Sequence, residues 1–402
     1  MTDSNPDVSP GIQRQMEIYK RGLAGKTPGQ PISAEELERK AKSKLKPETY
    51  DYLAGGAGSE ETMRANREAF RRWRIVPRLL RNVDRRDLGA DLLGRRLPAP
   101  LMLAPIGVQS IFHKGAELAV ARAARALGIP FILSTVSSRT MEEVADEMGD
   151  IPRWFQLYWP RSDELAASFL RRAEQAGYGA IVVTLDTYLL SWRERDLQNA
   201  YLPFIFGEGL ANYFSDPVFR DALGADPRKE PVRAIEYFAA IYSDPSRTWD
   251  DLAQLRQNTG LPILLKGILD PDDARRAVDH GMAGVIVSNH GGRQLDGAIA
   301  ALDALPRVVD AVGDRTTVLF DSGIRRGADV IKAMALGARG VLLGRPYCFG
   351  LAVGGEQGVR DVVSNLLADI DLTLGLAGCA SFAELGRTCL EGSLVAPPSA
   401  PS

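Results

Sequence analysis

The sequence predicts an α/β fold: a (β/α)8 TIM barrel with an N-terminal helical extension and a long lid insertion after the fourth strand. From about residue 100, eight short apolar runs rich in β-branched residues recur, and amphipathic stretches lie between them. Runs that are apolar without alternation are typical of parallel strands buried on both faces. Eight such units in roughly 250 residues match a closed barrel. A doubly wound sheet usually has about five or six strands and an early GxGxxG turn, which the sequence lacks.

The predicted strands follow one another along the chain. They are 101–107, 130–135, 154–159, 180–186, 262–268, 284–289, 317–323 and 340–346. Between them, stretches with helical periodicity predict helices that include 117–127, 163–176, 271–280 and 327–336. This alternation predicts a single barrel over residues 100–392.

Four segments lie outside the repeat. Residues 1–30 are predicted to be a flexible arm, and residues 31–99 a helical segment followed by a hairpin that caps the barrel floor, with Gly94 in its turn. Residues 188–248 are far longer than a strand-to-helix connection needs, so they predict a lid or an interface. The tail 393–402 is rich in proline and serine and is predicted to be flexible.

The composition excludes several classes of partner. The formal net charge is −2, which argues against a nucleic-acid or an anionic-membrane surface. No apolar run reaches the ~18 residues that a membrane span needs. The N-terminus is polar and lacks the apolar stretch of a signal peptide, so none is expected. The three cysteines form no CxxC pair and the three histidines no cluster, so no metal site is expected. A reduced, cytoplasmic environment fits best.

The strand ends carry the candidate chemistry, because barrel active sites lie at the C-terminal ends of strands. The sixth run continues into SNHGGRQLDG, which places the imidazole of His290 and the guanidinium of Arg293 three residues apart on a glycine-rich turn. An imidazole can accept a proton, and a guanidinium can bind a carboxylate with two hydrogen bonds. Tyr158 and Arg193 follow the third and fourth runs. This set predicts a site for a small carboxylate with an ionisable neighbour.

The last two runs predict a phosphate site. They end in DSGIRRG and LGRP, where glycines let backbone amides approach an oxyanion and arginines can hold it. Lys266 at the end of the fifth run either forms a Schiff base or lends positive charge to a bound ring. A sugar-phosphate aldolase or isomerase, and a catalytically silent binding barrel, therefore stay open as alternatives to a cofactor-dependent enzyme.

Seven motifs that occur in order along the chain carry a family resemblance. SNHGGRQLDG, FQLYW, TLDT with WRERD, LLKGI, FDSGIRRGADV and LLGRP resemble the FMN-dependent L-2-hydroxyacid oxidases and dehydrogenases, over residues 31–392. Among family members the chain is most similar to lactate 2-monooxygenase, because of the insertion NAYLPFIFGEGLANYFSDPVF and the APIGV of the first strand. The resemblance implies FMN as cofactor, a small hydroxy acid and O2 as substrates, and a homotetramer or homo-octamer.

The resemblance also implies residue roles. His290 is the general base, and Asp186 orients it or raises its pKa. Tyr52, Tyr158, Arg193 and Arg293 bind the substrate, and Lys266 lies at the N1/O2 edge of the flavin. The other residues implied to bind FMN are Pro105, Ile106, Gly107, Ser134, Gln156, Thr184, Ser288, Asp321, Ser322, Gly323, Arg325, Gly344 and Arg345.

Two positions depart from many relatives or bear on substrate choice. Val136 stands close after Ser134, in a region where a bulky aromatic is usual, so the size of the substrate is open. Gly107 is expected to leave room beside the flavin that an alanine would fill. The implied reactions are oxidation of L-lactate to acetate, CO2 and water, or release of a 2-oxo acid and H2O2. A dehydrogenase that passes electrons to a quinone or cytochrome is a further alternative.

Overall fold

The eight predicted runs form a closed barrel of parallel strands, and apolar side chains cover both faces of each strand. The computed structural model describes residues 9–392, and its barrel strands pair in sequence order, with the last returning to the first. The strands of the described chain are β1 (Arg74–Ile75), β2 (Ala90–Leu92), β3 (Arg95–Leu97), β4 (Leu101–Leu103), β5 (Phe131–Ser134), β6 (Arg153–Leu157), β7 (Ile181–Thr184), β8 (Ile263–Ile268), β9 (Gly284–Val287), β10 (Thr317–Phe320), β11 (Gly340–Leu343) and β12 (Leu390–Glu391). The predicted (β/α)8 barrel is confirmed, with β4–β11 as its wall.

Helices surround this wall. They are α1 (Pro10–Leu23), α2 (Ala34–Lys44), α3 (Pro47–Ala54), α4 (Glu61–Arg72), α5 (Ala116–Leu127), α6 (Met141–Met148), α7 (Asp163–Gln175), α8 (Glu194–Gln198), α9 (Ala211–Ser215), α10 (Pro217–Leu223), α11 (Pro231–Ile241), α12 (Leu252–Gln257), α13 (Pro271–Asp279), α14 (Ala301–Val312), α15 (Gly327–Ala335) and α16 (Arg345–Leu376). The four helices predicted between strands each match an observed helix to within one residue at either end. No helix within residues 9–392 has both the length and the apolar character needed to cross a bilayer.

The strand side chains form two apolar layers. One set fills the barrel interior and includes Ile132, Val182 and Leu264, while the alternate residues pack outward against the helices. Alternation between two buried faces explains why the sequence runs are apolar throughout. The interior is therefore a packed core, and a ligand site can form only at the ends of the barrel.

A hairpin closes the floor of the barrel, as predicted. β2 and β3 pair antiparallel, and Leu92 and Leu97 join the interior layer of the strands. The turn residues Leu93 and Gly94 both have positive φ, 47° and 75°, as a two-residue type I′ hairpin turn requires. With this end sealed, the open end is the one where the strands finish.

The N-terminal segment differs in part from the prediction. Residues 33–73 contain α2, α3 and α4 as expected, but residues 10–23 of the predicted flexible arm form α1, which packs along α16. A buried ion pair fixes the start of α1: Asp371 accepts from the backbone N–H of Gly11 at 2.9 Å and pairs with Arg86 at 2.7 Å. The sequence does mark this helix, with Ser9 as its cap and Ile12, Met16 and Tyr19 at helical spacing, and the prediction missed that pattern. In the structure these apolar side chains are exposed. Residues 1–8 and the predicted flexible tail 393–402 lie outside the described residues.

The insertion at 188–248 is a small helical layer made of α8–α11. Tyr213, Phe219 and Phe238 are buried in it, and the Tyr213 ring contacts Phe219, Phe238 and Phe169 of α7. Asp216 is fully buried and accepts from Arg172 of α7 at 3.0 Å, which anchors the layer to the barrel. Most of the aromatic side chains of the insertion therefore serve packing.

A second two-stranded sheet joins distant parts of the chain. β1 lies antiparallel to β12, with Arg74 opposite Glu391 and Ile75 opposite Leu390. β1 follows α4 directly, so this sheet links the end of the N-terminal helical segment to the last residues of the described chain.

Candidate active site

A cavity of about 980 Å³ lies at the C-terminal ends of the barrel strands. This volume includes the solvent-filled mouth of the cavity. The structure brings together most of the residues that the sequence nominates for the site. Those that line the cavity are Tyr52, Pro105, Ile106, Gly107, Tyr158, Arg193, Lys266, His290, Arg293, Asp321, Ser322, Gly323, Arg325, Gly344 and Arg345.

His290 stands on a strained turn after β9. Its φ is 58°, and Gly291 and Gly292 follow with φ of 65° and 76°. A non-glycine residue in this left-handed region costs of order 1–3 kcal/mol and persists only where neighbouring contacts determine it. Here the backbone N–H of His290 donates to Ser288 Oγ at 3.0 Å, and that of Gly291 donates to Ser322 Oγ at 3.0 Å. The turn therefore aims the imidazole into the cavity.

Asp186 orients the imidazole. His290 Nδ1 lies 2.8 Å from Asp186 Oδ1 and 3.2 Å from Thr187 Oγ1, which also donates to Asp186 Oδ1 at 3.0 Å. A carboxylate partner places the proton on Nδ1, which leaves Nε2 as the proton acceptor. Asp186 lies behind the imidazole and not on the cavity wall. Thr187 does line the wall, and its place in the TLDT motif is the signal that could have identified it.

The charges around this pair explain its protonation state. Burial lowers the pKa of His290 and outweighs the opposing effect of Asp186, while the Lys266 charge lowers it further. Burial alone would raise the pKa of Asp186, but the charges of His290 and Lys266 bring it below its usual value. The expectation that Asp186 orients His290 agrees with this geometry, and the net shift of the imidazole is downward. At neutral pH the imidazole is a neutral base beside an ionised carboxylate.

Lys266 has one acidic and one hydroxyl partner. Its Nζ lies 3.2 Å from Asp321 Oδ2 and donates to Ser288 Oγ at 3.1 Å, and Ser288 in turn donates to Asp321 Oδ2 at 2.9 Å. Ser288 is fully buried and lies behind the cavity wall. A paired ammonium is a fixed positive charge, whereas a Schiff-base lysine must be a neutral amine. The arrangement favours a lysine that lends charge to a bound ring.

Two guanidiniums form the substrate end. Arg293 lies over the Tyr52 ring at 5.1 Å, and its Nη1 donates to Gly55 O at 2.7 Å. Arg193 donates to Gln294 Oε1 at 2.7 Å and to Arg293 O at 3.1 Å. Burial, with the neighbouring Arg193 charge, lowers the pKa of Arg293 to about 10. Because Arg293 has no carboxylate partner within residues 9–392, this end is suited to an anion.

The other end carries two more guanidiniums without acidic partners among the described residues. Arg325 donates to Ile324 O at 2.9 Å, and Arg345 donates to the carbonyls of Gly55 and Gly291, both at 2.9 Å. Burial and neighbouring arginines lower the pKa of Arg345 to about 9 and also lower the pKa of Arg325. Cations held this way, beside the glycine turns after β10 and β11, fit a phosphate.

The insertion supplies cavity residues that the sequence interpretation does not assign. Phe204 and Tyr242 line the cavity with Val136, and the Tyr242 ring lies 5.2 Å from that of Tyr158. Neither the Tyr158 nor the Tyr242 hydroxyl makes a hydrogen bond inside the described part of the chain. Phe204 and Tyr242 come from a layer whose fold no local pattern specifies. The length of the insertion and the WRERD motif at its start were the signals that marked it.

Three predicted FMN contacts lie at the ends of β5, β6 and β7 and not among the cavity-lining residues. Ser134 donates to Gln156 Oε1 at 3.1 Å, and Thr184 is buried beside Lys266 in the strand pairing. The Gln156 Nε2 group is buried and has no hydrogen-bond partner. A buried donor without a partner is costly, and a ligand carbonyl within reach would satisfy it.

One expectation about the wall is wrong. A side chain at Gly107 would not fill free room, because its Cβ would overlap the carbonyl oxygen of Val136 and come within 2.6 Å of Val136 Cγ2. The loops after β4 and β5 are in direct contact here. Glycine at this position therefore permits loop packing and does not enlarge the cavity.

Comparison with known proteins decides the family. The family model described as FMN-dependent dehydrogenase matches residues 41–392. The chain belongs to this family. An FMN-dependent alpha-hydroxy acid dehydrogenase of Penicillium citrinum is 45% identical over 94% of this chain and 95% of its own length. An L-lactate oxidase of Lysinibacillus sphaericus is 44% identical over 87% of this chain and 90% of its own length.

Solved structures agree with this membership. A crystal structure of mandelate oxidase superposes with a TM-score of 0.80 at 41% identity, over 91% of this chain and 99% of its own. As a member of the FMN-dependent dehydrogenase family, the protein uses FMN to oxidise a 2-hydroxy acid.

The site of this family member fits FMN on its own observations. The unpartnered Gln156 Nε2 and the charged Lys266 suit the polar edge of a flavin ring. Arg325 and Arg345 suit its phosphate, and the apolar side chain of Ile106 suits a ring face. The remaining guanidiniums are then placed for the carboxylate of the substrate: Arg293, and Arg193, which also lies 3.9 Å from Asp196.

Proposed function

We propose that the protein oxidises a small L-2-hydroxy acid, with L-lactate as the first choice, and uses O2 as the electron acceptor. The observation that carries this proposal is the neutral His290 base, oriented by Asp186, next to the guanidiniums of Arg193 and Arg293 in one cavity. A hydroxyl and a carboxylate on adjacent carbons are the groups that such a pair recognises. The relative named L-lactate oxidase supports lactate as the substrate to test first.

The residues have separate tasks in this reaction. Arg193 and Arg293 bind the substrate carboxylate, with Tyr52 packed against Arg293 and Tyr158 donating from the adjacent wall. His290 Nε2 takes the proton of the hydroxyl, and Asp186 stabilises the resulting imidazolium through Nδ1. FMN supplies the acceptor for the two electrons removed from the substrate carbon. Lys266 provides a fixed positive charge beside that acceptor.

We propose further that the 2-oxo acid stays in the site, so that the overall reaction is L-lactate plus O2 to acetate, CO2 and water. Two guanidiniums and the Tyr158 and Tyr242 hydroxyls surround the place where this acid would be held, and the insertion covers it through Phe204 and Tyr242. If the acid leaves first, the products are pyruvate and H2O2. The relatives named oxidases favour that outcome as the second candidate.

A bulkier substrate is favoured by one feature of the wall. Val136 is a short side chain beside the aromatic rings of Phe204 and Tyr242. A relative from Amycolatopsis orientalis, 43% identical, is named 4-hydroxymandelate oxidase. L-Mandelate is therefore the second substrate to test. The cytoplasmic location and the tetrameric or octameric state predicted from the sequence stay predictions.

The test is aerobic turnover of L-lactate, D-lactate and L-mandelate with FMN-loaded enzyme, with H2O2, 2-oxo acid, acetate and CO2 measured together. Acetate and CO2 in equal amounts, without H2O2, support the monooxygenase. Pyruvate with equal H2O2 supports the oxidase and rejects product retention. His290→Ala is expected to abolish turnover, while His280→Ala, on the outer helix layer at the end of α13, is the matched control. Normal turnover by His290→Ala rejects the proposed base.

A further inference from the structure

Glu117 is a fully buried carboxyl outside the chemistry described above. It lies in the first turn of α5, and its Oε1 accepts the backbone N–H of Gln109 at 3.3 Å and that of Ser138 at 3.0 Å. Gln109 belongs to the loop after β4 and Ser138 to the loop after β5. One carboxylate oxygen therefore joins the first two loops of the barrel mouth.

The first loop continues from this bond to the cavity wall. The Gln109 side chain donates from Nε2 to Ile106 O at 3.2 Å and to Tyr347 Oη at 3.1 Å. Tyr347 in turn donates to Ala104 O at 2.8 Å. Ala104 and Ile106 line the cavity, so a displacement of Gln109 would move wall residues on either side of Pro105.

The second loop reaches the wall in two residues. Val136, two positions before Ser138, lines the cavity and touches the backbone at Gly107. A further bond from Ser110 N to Ser138 Oγ, 3.1 Å long, runs parallel to the one through Glu117. The place of Val136 against Gly107 thus depends on how the two loops are held together.

The junction also contains two buried acceptors without partners, Glu117 Oε2 and Gln109 Oε1. A proton on the carboxyl would turn one of these acceptors into a donor. Burial raises the pKa of Glu117 to about 7, against the lowering effect of its backbone hydrogen bonds and of Arg139. Tyr347 and Cys348 of α16 are the other titratable groups that face it.

We propose that Glu117 is a positioning residue for FMN, which holds the loops after β4 and β5 in the relative placement that forms the wall at Ala104–Gly107 and Val136. The proposal rests on the FMN requirement of the family and not on the choice of substrate. Without the hydrogen bonds to Glu117, the two loops would be less ordered in the apoprotein. FMN binding would then have to order them, and this cost would reduce the free energy of binding. The effect is therefore expected on the affinity for FMN itself.

The first test is the dissociation constant of FMN from the apoprotein, measured by quenching of flavin fluorescence. Glu117→Ala removes the acceptor of two hydrogen bonds and is expected to weaken FMN binding about tenfold or more. Glu117→Gln keeps an oxygen acceptor and is expected to bind within about threefold of the unaltered protein. If the alanine variant does not fold, Glu117→Asp, with a carboxylate one methylene shorter, takes its place.

Asp371→Asn is the matched control. Asp371 is also a fully buried carboxyl that accepts a backbone N–H. Unlike Glu117, it lies at the contact of α1 with α16, away from the cavity wall. It is expected to lower the unfolding midpoint without weakening FMN binding. If Asp371→Asn weakens FMN binding as much as Glu117→Ala does, or if Glu117→Ala binds FMN normally, the positioning role is rejected.

A second measurement follows the carboxyl directly in the apoprotein. A carboxyl whose pKa is raised on folding stabilises the folded state below its unfolded pKa, and this contribution is lost as the pH rises through the folded pKa. Glu117→Gln cannot ionise at this position, so it does not lose stability in this way. The unfolding midpoint of the variant minus that of the unaltered protein is therefore expected to increase from about pH 5 to about pH 8. A difference that is constant across this range contradicts the assignment of a buried, titrating Glu117.

Discussion

The backbone at His290 combines strain with support. A left-handed histidine is held by the hydroxyls of Ser288 and Ser322, and Ser322 itself has a φ of 93°. Asn289, on the same turn, exchanges two 2.8 Å hydrogen bonds with Asn66 of α4. Strain of this kind at a reacting group fixes a side chain that ordinary loop geometry would leave variable. The position of the base is thus determined by residues on β9, β10 and an N-terminal helix together.

Asp186→Asn is expected to lower kcat/KM about 10²-fold or more, because the amide can no longer fix the Nδ1–H form of His290 or stabilise its charge. Since the pKa of His290 already lies below its usual value, activity should rise with pH to a plateau reached by neutral pH. Removal of the Asp186 charge, which raises that pKa, should move the acidic limb to lower pH. The pH profile of kcat/KM tests both points, and an unchanged profile in Asp186→Asn contradicts the pairing.

Arg293→Gln is expected to raise KM for the hydroxy acid about 10- to 100-fold, since a charge-assisted hydrogen bond to the carboxylate is lost. The pocket would also lose a cation that stacks on Tyr52. Arg326→Gln, which removes an exposed arginine paired with Glu35, is the control and should leave KM unchanged. Steady-state kinetics with L-lactate distinguish the two, and equal effects of both substitutions would contradict a specific carboxylate clamp.

The sequence predicted most site residues at this scale because barrel topology brings strand ends together. His290, Lys266, Asp321 and Arg345 each lie at or just after the end of a recognisable apolar run, so their convergence needs no long-range information. Glu117 could not be assigned a role this way. Its partners are backbone amides of two loops, and no side-chain pattern in the sequence marks such a contact.

Among the elements, the insertion has the most direct link to reaction outcome. It is anchored on α7 through Asp216 and brings Tyr242 to the cavity at the end of α11. The sequence predicts the length of this element and its place after the fourth strand, but not its contacts. Its helices are short, and tertiary packing of Tyr213, Phe219 and Phe238 determines where they lie. The placement of α1 also depends on a tertiary contact, since a buried Asp371–Arg86 pair fixes its start.

Tyr242→Phe is expected to lower the ratio of acetate to pyruvate about two- to tenfold, because one hydrogen bond to the retained acid is lost while the ring packing is kept. Tyr237→Phe, in the same helix but outside the cavity wall, is the matched control. Product analysis under air measures the ratio. A ratio that changes equally in both variants would assign the effect to the helix and not to the hydroxyl.

At the scale of the molecule, the buried cations couple cofactor binding to stability. Arg293, Arg325 and Arg345 face the cavity without acidic partners in the described chain, so the site gathers positive charge in a protein of net charge −2. An anionic ligand that binds only the folded state removes this repulsion and stabilises the fold. The barrel as a whole could be predicted because eight similar apolar runs repeat along the sequence. The positive charge of the cavity could not, because it depends on which arginine side chains face inward.

FMN at about 100 times its dissociation constant is expected to stabilise the protein by about 2.7 kcal/mol and to raise the unfolding midpoint. Riboflavin, which lacks the phosphate, is the control ligand and should stabilise less at the same concentration. Thermal unfolding of the apoprotein with each ligand measures the difference. Equal stabilisation by both would contradict a phosphate site at Arg325 and Arg345.

The pairing of β1 with β12 has a consequence for how the enzyme is made. The helices that carry Tyr52 and Asn66 are synthesised well before β12, which pairs with the strand that follows them. β4 likewise waits for β11 before the barrel can close. A nascent chain is thus expected to stay open to proteolysis until β11 and β12 have left the ribosome, and competence to bind FMN is acquired only then and not gradually during synthesis.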